Sequence, residues 1–312
     1  MTTTTTTLIT GGAGFIGSHL AAALLADGER VRVLDDFSTG RRENLSPLQR
    51  AHGDRLEVIE ASILDADAVQ RAMQGVRHVS HQAAMISVTD SIARPAPTLR
   101  VNVEGTAIVL EAARRAGVEG FVLASSAAVY GDAPGLPKTE QMLPACLSAY
   151  AVSKLAGEQM VETYARAHGM HAVALRYFNV YGPRQDPASP YAAAVPLFVS
   201  RLRANEAPTI FGDGEQTRDF VFVGDVVRAN RLALAARDAG PGPFNVATGR
   251  AVTVNALVAQ LADLIGARVT PVHADARIGE IRHSLADVTR ARNALRFEAT
   301  MPLADGLRAT IA

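Results

Sequence analysis

Apolar residues along the chain follow two alternating patterns, short runs of β-branched residues and longer stretches with helical spacing. The short runs predict strands, and the longer stretches, several of which end at a glycine, predict helices. In the first half, the predicted strands cover residues 4–10, 31–34, 56–61, 76–81, 121–125 and 171–176. The predicted helices between them cover residues 15–25, 65–74, 98–116 and 150–168. This alternation predicts an α/β fold with a doubly wound, parallel, Rossmann-type sheet.

The pattern loosens after Gly182, where prolines are frequent. Here we expect helices at 195–203 and 254–265, a short strand and turn at 209–214, and a strand at 244–246. We expect residues 221–247 to return to the first half. The sequence thus predicts a larger domain of residues 1–180, completed by 221–247, and a smaller α/β domain of residues 181–220 and 248–312.

A glycine-rich turn follows the first predicted strand. Gly11, Gly14 and Gly17 lie between that strand and a helix, a context in which glycines let the backbone approach a pyrophosphate. Asp35 ends the second predicted strand, 18 residues after Gly17. A carboxylate there would accept hydrogen bonds from a ribose 2′-hydroxyl and would repel a 2′-phosphate, so NAD is favoured over NADP. The neighbouring pair Arg41-Arg42 keeps NADP open.

Tyr150 and Lys154 are four residues apart on a predicted helix, and therefore share one face of it. An ammonium group beside a phenol favours the phenolate, which could take a proton from an alcohol. The chain has six tyrosines but only two lysines, so such a pair is rarely produced by chance. The structural alternative is a surface lysine over a half-buried tyrosine. Ligands of doubly wound sheets bind at the carboxyl ends of strands, where Ser126 and Ala83 are expected.

Composition excludes several classes of function. The 31 basic and 31 acidic residues balance, so nothing indicates a partner surface of nucleic acid or acidic membrane. No apolar stretch reaches membrane-spanning length, and residues 1–4 do not resemble a signal peptide. The single cysteine, Cys146, excludes an internal disulfide and a cysteine-based metal cluster. We therefore expect a cytoplasmic protein without a metal.

The order of these motifs is similar to that of a known family. The glycine turn, Ser125-Ser126-Ala127-Ala128-Val129-Tyr130, Tyr150-x-x-x-Lys154 and Arg176-Tyr177-Phe178-Asn179 resemble the extended short-chain dehydrogenase/reductase family. Within it, the chain resembles nucleotide-sugar 4-epimerases over essentially its whole length. The resemblance implies that Ser126, Tyr150 and Lys154 are catalytic and that the cofactor is NAD.

The resemblance also implies a set of cofactor-binding residues. They are Gly11, Gly14, Phe15, Ile16, Gly17, Asp35, Asp36, Ser38, Thr39, Gly40, Ser62, Ile63, Gln82, Ala83, Ala84, Asn102, Tyr150, Lys154 and Tyr177. For Asn102, a structural hydrogen bond to backbone is equally open, and His81 is expected to be a packed histidine. One departure concerns adenine: the family has Gly-Asp where this chain has Ala61-Ser62.

The smaller domain is expected, by the same resemblance, to bind a UDP-sugar. Its expected substrate-binding residues are Ser87, Ser126, Asn179, Val195, Thr209, Phe211, Arg218, Arg277, Glu280 and Ser284. Arg218 and Arg277 would grip the phosphates, Phe211 would lie near the uracil and Glu280 near its ribose. In the 4-epimerases, the residue seven after the second phosphate arginine borders the sugar, and a tyrosine there excludes N-acetyl groups. In this chain that residue is Ser284.

The resemblance therefore predicts a homodimeric, NAD-dependent UDP-N-acetylglucosamine 4-epimerase that also accepts UDP-glucose. A UDP-glucuronate 4-epimerase or decarboxylase is the alternative, and a non-catalytic NAD-binding regulator is the alternative of a different class. Dehydration is disfavoured, because Ala127 and Ala128 stand where dehydratases of the family have an acidic pair. The dimer is expected to form through the helices that contain Thr98 and Tyr150.

Overall fold

A computed structural model describes residues 5–186, 194–276 and 281–312. Seven parallel strands form the central sheet in the order β11-β6-β5-β4-β1-β2-β3. They are β1 (Thr6–Thr10), β2 (Arg30–Asp35), β3 (Leu56–Glu60), β4 (His78–His81), β5 (Gly120–Ser126), β6 (Ala172–Tyr177) and β11 (Pro243–Val246). The strand order reverses between β1 and β4, so the crevice at the carboxyl ends of these two strands is the expected place for a ligand.

Helices cover both faces of this sheet. The first half of the chain forms α1 (Phe15–Ala26), α2 (Ser46–His52), α3 (Ala66–Ala72), α4 (Val88–Ala93), α5 (Pro95–Leu99), α6 (Gly105–Ala116) and α7 (Ala149–His168). The second half forms α8 (Ala194–Arg203), α9 (Val223–Ala235), α10 (Val254–Ile265), α11 (Thr289–Leu295) and α12 (Leu303–Ile311). A doubly wound α/β architecture was the prediction, and it is confirmed.

Alternate residues of each strand contribute to different cores, because successive side chains of a strand face opposite sides of the sheet. On β5, Phe121 and Leu123 pack with α3, α6 and α7, whereas Val122 and Ala124 pack with α9 and α11. Both faces are covered, which explains the nearly continuous apolar runs in the strand sequences.

The smaller elements after β6 surround a third core. The remaining short strands are β7 (Asn179–Tyr181), β8 (Thr209–Phe211), β9 (Thr217–Arg218), β10 (Phe220–Phe222), β12 (Val252–Thr253) and β13 (Val272–Ala274). They pair as β7–β10, β8–β13 and β9–β12. Apolar residues of α8, α10 and α12 fill the space between them.

Two elements of the segment 221–247 contact the first half of the chain. Helix α9 packs against α1 and the sheet, and β11 pairs with β6. The predicted helix at 254–265 is α10. The division into two domains at the stated boundaries stays a prediction.

The prediction of one continuous helix at 98–116 needs a correction. Helical structure begins earlier, in α5, and passes through a π-helical turn at Arg100–Glu104 before α6. The extra residue of a π turn rotates the side chains that precede it relative to those that follow. It leaves Asn102 buried and hydrogen-bonded to Met85 and Ser153, which compensates for the irregular backbone.

Strand boundaries also differ in places. The strand predicted at 76–81 begins only at His78, because the N–H of Val76 bonds to the carbonyl of Met73 in the preceding turn. The strand predicted at 4–10 is observed from Thr6, and residue 4 lies outside the described ranges. Within those ranges, no helix has both the length and the apolar character that crossing a membrane requires.

Candidate active site

The turn between β1 and α1 contains the motif Gly11-x-x-Gly14-x-x-Gly17, and it has no room for side chains at the first and last of these glycines. Gly11 has a φ of +68°, and a Cβ there would lie 2.7 Å from the backbone nitrogen of Ala83. A Cβ on Gly17 would lie 2.3 Å from the carbonyl oxygen of Gly11. Because both residues are glycines, the backbones at the carboxyl ends of β1 and β4 and at the start of α1 can lie in direct contact.

Gly14 differs from the other two glycines in what it faces. A Cβ on it would have only the Gly11 carbonyl oxygen, at 3.2 Å, within 4 Å, so its open side faces away from the protein. Gly14 also caps α1 without a side-chain hydrogen bond, and no acidic residue occupies the first turn. The N–H groups of Phe15 and Ile16 thus lie at an open, positively polarised helix end, which fits a pyrophosphate.

Asp35, at the end of β2, is fixed beside this turn. Its carboxylate accepts hydrogen bonds from the N–H of Ala13 at 2.8 Å and of Phe37 at 2.9 Å. Burial raises its pKa, and these two bonds oppose the increase. Gly40 closes over it, since a Cβ there would lie 2.7 Å from an Asp35 oxygen. Each carboxylate oxygen keeps a lone pair for a ribose hydroxyl.

The remaining residues of this loop are consistent with NAD rather than NADP. Arg41 pairs with Asp186, and Arg42 pairs with Glu60 and stacks on the ring of Phe37. Both arginines are therefore already engaged by partners. Three further predicted cofactor residues, Asp36, Ser38 and Thr39, are exposed here, and Asp36 accepts hydrogen bonds from both the N–H and the hydroxyl of Ser38.

The structure brings the three predicted catalytic residues together at the carboxyl end of β5. Ser126 is the last residue of β5, and its hydroxyl lies near the phenol of Tyr150. Tyr150 lies in the first turn of α7, a helix that the hydroxyl of Ser148 caps by accepting from the Ala151 N–H at 3.1 Å. Lys154 follows one turn later, with its Nζ 5.7 Å from the centre of the Tyr150 ring.

Burial shifts the pKa values of two residues of this group. It raises the pKa of Tyr150, and the nearby Ser126 hydroxyl opposes the increase. Burial lowers the pKa of Lys154 to about 8, and the carboxylate of Glu158 opposes that decrease. The ammonium group of Lys154 donates to the Ala124 carbonyl at 2.8 Å, and a lowering of the Tyr150 pKa by Lys154 and the bound nicotinamide stays a prediction.

Asn102 makes the structural hydrogen bonds that the sequence left open. Its amide accepts from the Met85 N–H at 2.8 Å and donates to the Met85 carbonyl at 2.9 Å and to Ser153 at 2.9 Å. It thereby links the segment after β4 to α7, at a small cavity whose lining includes Ala83, Ala84 and Lys154. A contact of Asn102 with the cofactor stays a prediction.

His81 is a packed histidine, as expected. Its two ring nitrogens hydrogen-bond with the hydroxyls of Thr10 and Thr106. Burial, with the nearby charge of Lys154, lowers its pKa to about 3. It is therefore neutral at physiological pH and adds no charge to the site.

Four other predicted cofactor residues are tied to the protein interior. Gln82 and Tyr177 hydrogen-bond each other and Asn230 of α9, and burial raises the pKa of Tyr177 to about 12. Ile63 packs in the core against Gly105, and the hydroxyl of Ser62 accepts from the Leu64 N–H at 3.3 Å. Contacts of these four with NAD stay predictions.

Predicted substrate residues divide into two groups. Asn179 on β7 is exposed, while Thr209 and Phe211 on β8 and Arg218 on β9 are partly buried around the smaller core. Arg218 donates to the carbonyls of Thr217 and Arg282. In contrast, two predicted contacts have structural roles: Val195 is buried in the core of α8 and α10, and Ser87 caps α4 through the Asp90 N–H.

Ser284 lies on a segment that two other segments hold. Its N–H donates to the Thr217 carbonyl at 3.1 Å, and the following Leu285 carbonyl accepts from the Lys138 N–H at 2.7 Å. The Asp219 carboxylate also accepts from the Ala286 N–H at 3.3 Å. Two further predicted residues, Arg277 and Glu280, lie outside the described residues.

Sequence reasoning missed the charged pair directly beneath the catalytic group. Glu158 of α7 and Arg176 of β6 form an ion pair, with both side chains at most 4% exposed. Glu158 follows Lys154 by four residues, so helical periodicity alone could have placed it on the same face. Its partner Arg176 lies on a strand, and no sequence pattern indicates that these two residues pair.

Comparisons with known proteins agree with this geometry. Residues 7–247 match the NAD dependent epimerase/dehydratase family. A UDP-glucose 4-epimerase of Mycolicibacterium smegmatis is 42% identical over 98% of this chain and 97% of its own. The structure of a UDP-N-acetylglucosamine 4-epimerase from Methanobrevibacter ruminantium, with UDP-N-acetylmuramic acid, has a TM-score of 0.94 at 35% identity and covers 99% of this chain and 97% of its own.

A second solved structure contains the cofactor. The UDP-glucose 4-epimerase of Thermus thermophilus in complex with NAD has a TM-score of 0.86 at 36% identity, and the match covers 98% of this chain and 97% of its own. The chain belongs to the NAD-dependent epimerase/dehydratase family, as the motifs indicated. It is an isomerase, an epimerase that uses NAD, and its glycine turn and Asp35 fit that cofactor.

Proposed function

We propose that this enzyme inverts C4 of a UDP-sugar through a 4-keto intermediate and that N-acetylated sugars are good substrates. The observation that carries the proposal is the grouping of Ser126, Tyr150 and Lys154 at the carboxyl end of β5, with Lys154 Nζ 5.7 Å from the centre of the Tyr150 ring. An alcohol placed between the phenol and the open end of the sheet would meet a base and a hydrogen-bond partner together.

When bound, NAD⁺ would supply the oxidation and the later reduction at C4, with a hydride leaving one face of the sugar and returning to the opposite face. Tyr150 takes the proton of the C4 hydroxyl, and Ser126 hydrogen-bonds the same oxygen. Because burial raises the pKa of Tyr150, its phenolate depends on positive charge, which Lys154 and the oxidised nicotinamide supply. Lowering a phenol pKa from about 10 to about 7 requires roughly 4 kcal/mol. On the return step, Tyr150 gives the proton back.

The sugar must turn over between the two steps, so the binding energy should come from the nucleotide. Asn179 lies on β7 and Arg218 on β9, and the N–H of Asn179 donates to the carbonyl of Asp219, the residue after Arg218. A guanidinium matches paired phosphate oxygens. Arg277 completes the proposed phosphate contacts. A sugar held only through its diphosphate is free to present either face to Tyr150.

The proposed preference for N-acetylated sugars rests on the size of Ser284. A serine leaves space beside the sugar that a tyrosine would fill. The similarity to an enzyme described as a UDP-N-acetylglucosamine 4-epimerase supports this substrate, and the similarity to UDP-glucose 4-epimerases supports the plain sugar as a second one. A sugar acid is the competing substrate, since the neighbouring structures also include one with UDP-glucuronic acid and NAD.

Elimination of water after the oxidation is disfavoured. The two residues after Ser126 are Ala127 and Ala128, which begin a 3₁₀ turn and offer no side-chain acid or base. The Ala128 N–H donates to the Ser126 hydroxyl at 3.1 Å, so this turn orients the serine instead.

We also propose that the enzyme is a homodimer through α4, α5 and α7. Helices α4 and α5 pack against α7, and this surface exposes apolar side chains that a second copy would cover. They are Val88 (45% exposed), Ile92 (65%), Leu99 (37%) and Val152 (48%). Analytical ultracentrifugation should give a dimer, and Val152→Glu should shift it to monomer.

The proposed function is tested by product analysis. The purified protein is incubated with UDP-N-acetylglucosamine, UDP-glucose and UDP-glucuronate separately, without added NAD. We expect the C4 epimer of the N-acetylated sugar, with tightly bound NAD detected after denaturation. Release of carbon dioxide from UDP-glucuronate would identify a decarboxylase, and bound NAD without turnover of any sugar would identify a regulator.

A further inference from the structure

Glu158 connects three elements directly beneath the catalytic residues. Its Oε1 accepts from the Ser125 hydroxyl and from Nε of Arg176 at 2.9 Å, and its Oε2 accepts from Nη2 of Arg176 at 2.7 Å. Ser125 belongs to β5, Arg176 to β6 and Glu158 to α7. All three residues are only 3% exposed.

Each of these residues is a near neighbour of a site residue. Ser125 precedes Ser126, and Arg176 precedes Tyr177, so a shift of either strand end moves the next side chain. Glu158 follows Lys154 by four residues, which places it one helical turn below. The carboxylate therefore holds the relative positions of the strand that carries the serine and the helix that carries Tyr150 and Lys154.

We propose that Glu158 is a positioning residue, which sets the geometry between Ser126 and the Tyr150–Lys154 face and keeps Lys154 protonated at neutral pH. This inference rests on the proposed catalytic roles of those three residues. Glu158 does not reach the substrate, because it is buried behind the end of β5. It acts through Lys154 and through Ser125.

The second part of the proposal, that Glu158 keeps Lys154 protonated, depends on the charged and titratable groups that face Lys154. From α7 itself these are Tyr150 and Glu158, and from β4 the neutral His81. The cation Arg176 of β6 is paired with Glu158. The Cys146 thiol faces Glu158, and burial raises its pKa, so it is neutral. The negative charge that opposes desolvation of Lys154 is that of Glu158.

The buried ion pair of Glu158 and Arg176 is not explained by a contribution to the stability of the fold alone. A buried ion pair recovers its desolvation cost only with good geometry and satisfied donors, and apolar replacement is often neutral or stabilising. Here the guanidinium of Arg176 lies over the ring of Tyr130, 4.7 Å from its centre, and its Nη1 is buried without a hydrogen bond. Such an unsatisfied group in a native structure calls for an explanation beyond packing, and control of Lys154 supplies one.

The test measures the pKa of Lys154 directly, without using turnover. The chain has only two lysines, so protein labelled with [¹³Cε]-lysine should give two lysine signals, and the Lys138 signal is identified by its loss in Lys138→Arg. We expect Glu158→Gln to lower the titration midpoint of Lys154 by about one pH unit. The matched control is Glu162→Gln, one turn further along α7, where the exposed pair with Arg166 is lost instead.

Kinetic measurements separate the positioning effect of Glu158 from its effect on the protonation of Lys154. Ser125→Ala removes one hydrogen bond and keeps the charge, so it should lower kcat several-fold without moving the Lys154 midpoint. Glu158→Gln should lower kcat by about 10–100-fold and shift the alkaline limb of the kcat profile to lower pH, with little change in KM. Glu158→Asp, which keeps the charge, should restore the alkaline limb.

An unchanged Lys154 midpoint in Glu158→Gln, equal to that in Glu162→Gln, would overturn the inference. If Glu158→Gln does not fold, the double variant Glu158→Gln with Arg176→Gln removes both members of the ion pair, and its Lys154 midpoint should also lie below that of Glu162→Gln. Failure of the proposed function is a distinct result: no UDP-sugar would turn over in the wild-type protein, whereas the Lys154 midpoint would still report on Glu158.

Discussion

The ammonium group of Lys154 lies 2.8 Å from the carbonyl oxygen of Ala124, two residues before the end of β5. This hydrogen bond aims the lysine at the strand rather than at the phenol of Tyr150, although both belong to one helix face. The helix and the sheet together, not the helix alone, therefore define where positive charge enters the site.

The chemical role of Tyr150 predicts the effect of removing one oxygen. Tyr150→Phe should lower kcat by about 10³-fold or more, because no base remains for the C4 hydroxyl. Bound NAD and thermal stability should change little. Tyr164→Phe, on the same helix, loses only a hydrogen bond to Glu111 and serves as the control. Full epimerase activity of Tyr150→Phe would contradict the proposed mechanism.

The buried charge of Lys154 predicts a trade between activity and stability. Because burial lowers its pKa from 10.5 to about 8, the folded state bears the cost of the charge below about pH 8. Between the folded and unfolded pKa values the unfolded chain binds more protons, so this contribution to stability improves as pH rises through that window. Lys154→Met should therefore be inactive but more stable at pH 7, by roughly 1–3 kcal/mol.

The measurement for Lys154→Met is denaturant unfolding of NAD-free protein at pH 7 and at pH 9.5. The difference from the wild type should shrink at the higher pH, where the native lysine is neutral. A variant that is less stable than the wild type at pH 7 would mean that the ammonium group stabilises the fold.

The open side of Gly14 predicts a selective loss of cofactor. Gly14 has an ordinary φ of −74°, so Gly14→Ala should fold with nearly unchanged thermal stability. Its methyl group would project toward the proposed pyrophosphate and should weaken NAD binding at least tenfold, measured by calorimetry. In the control Gly75→Ala, the methyl group meets nothing within 4 Å but φ is +69°, so stability should fall and NAD affinity should not.

The proposed gatekeeper predicts a change of substrate preference. Ser284→Tyr should abolish turnover of UDP-N-acetylglucosamine and retain turnover of UDP-glucose, because the ring would occupy the space of the acetyl group. Ser284→Ala is the control and should keep both activities. Progress curves with each substrate at equal concentration measure the ratio of kcat/KM values. Retained turnover of the N-acetylated sugar would remove Ser284 from the sugar pocket.

A buried asparagine predicts the strongest effect on stability. Asn245 of β11 accepts from the Tyr130 hydroxyl at 2.6 Å and donates to the carbonyls of Lys138 and Asp287. Asn245→Ala leaves these groups unpaired and should lower the free energy of unfolding by about 3 kcal/mol or more. Asn255→Ala, whose amide lies at an exposed loop, should cost less than about 1 kcal/mol.

Local signals made most of the fold and the cofactor half predictable. The glycine turn, the acid at the end of β2 and the Tyr150–Lys154 spacing each depend on residues close in sequence, and periodicity gave α10 at residues 254–265. Pairing across the fold has no such local signal. Glu158 and Arg176 meet because α7 lies on β5 and β6, and Asn102 turns inward because of a π turn that its sequence does not announce.

The absence of a local signal for pairing across the fold also limits what could be predicted for the substrate-binding residues. Val195 and Ser87 are expected at the ligand by the resemblance, and in the structure Val195 lies in a core and Ser87 caps a helix, so their contacts with a ligand stay predictions. Whether a side chain serves packing or binding is decided by the distant elements that cover it. For Asn179 and Arg218, which stay near the surface, the expectation remains a prediction.

One edge of the sheet is formed by β11, which is synthesised long after its neighbour β6. This affects how the chain folds during synthesis. Strand β6 ends at Tyr177, but its partner β11 begins only at Pro243. At about 5–20 residues per second, a ribosome leaves that edge of the nascent sheet unpaired for several seconds. During this interval β6, an apolar strand with free backbone groups, is a template for association with other nascent chains, so the folding yield should depend on chaperones that shield it.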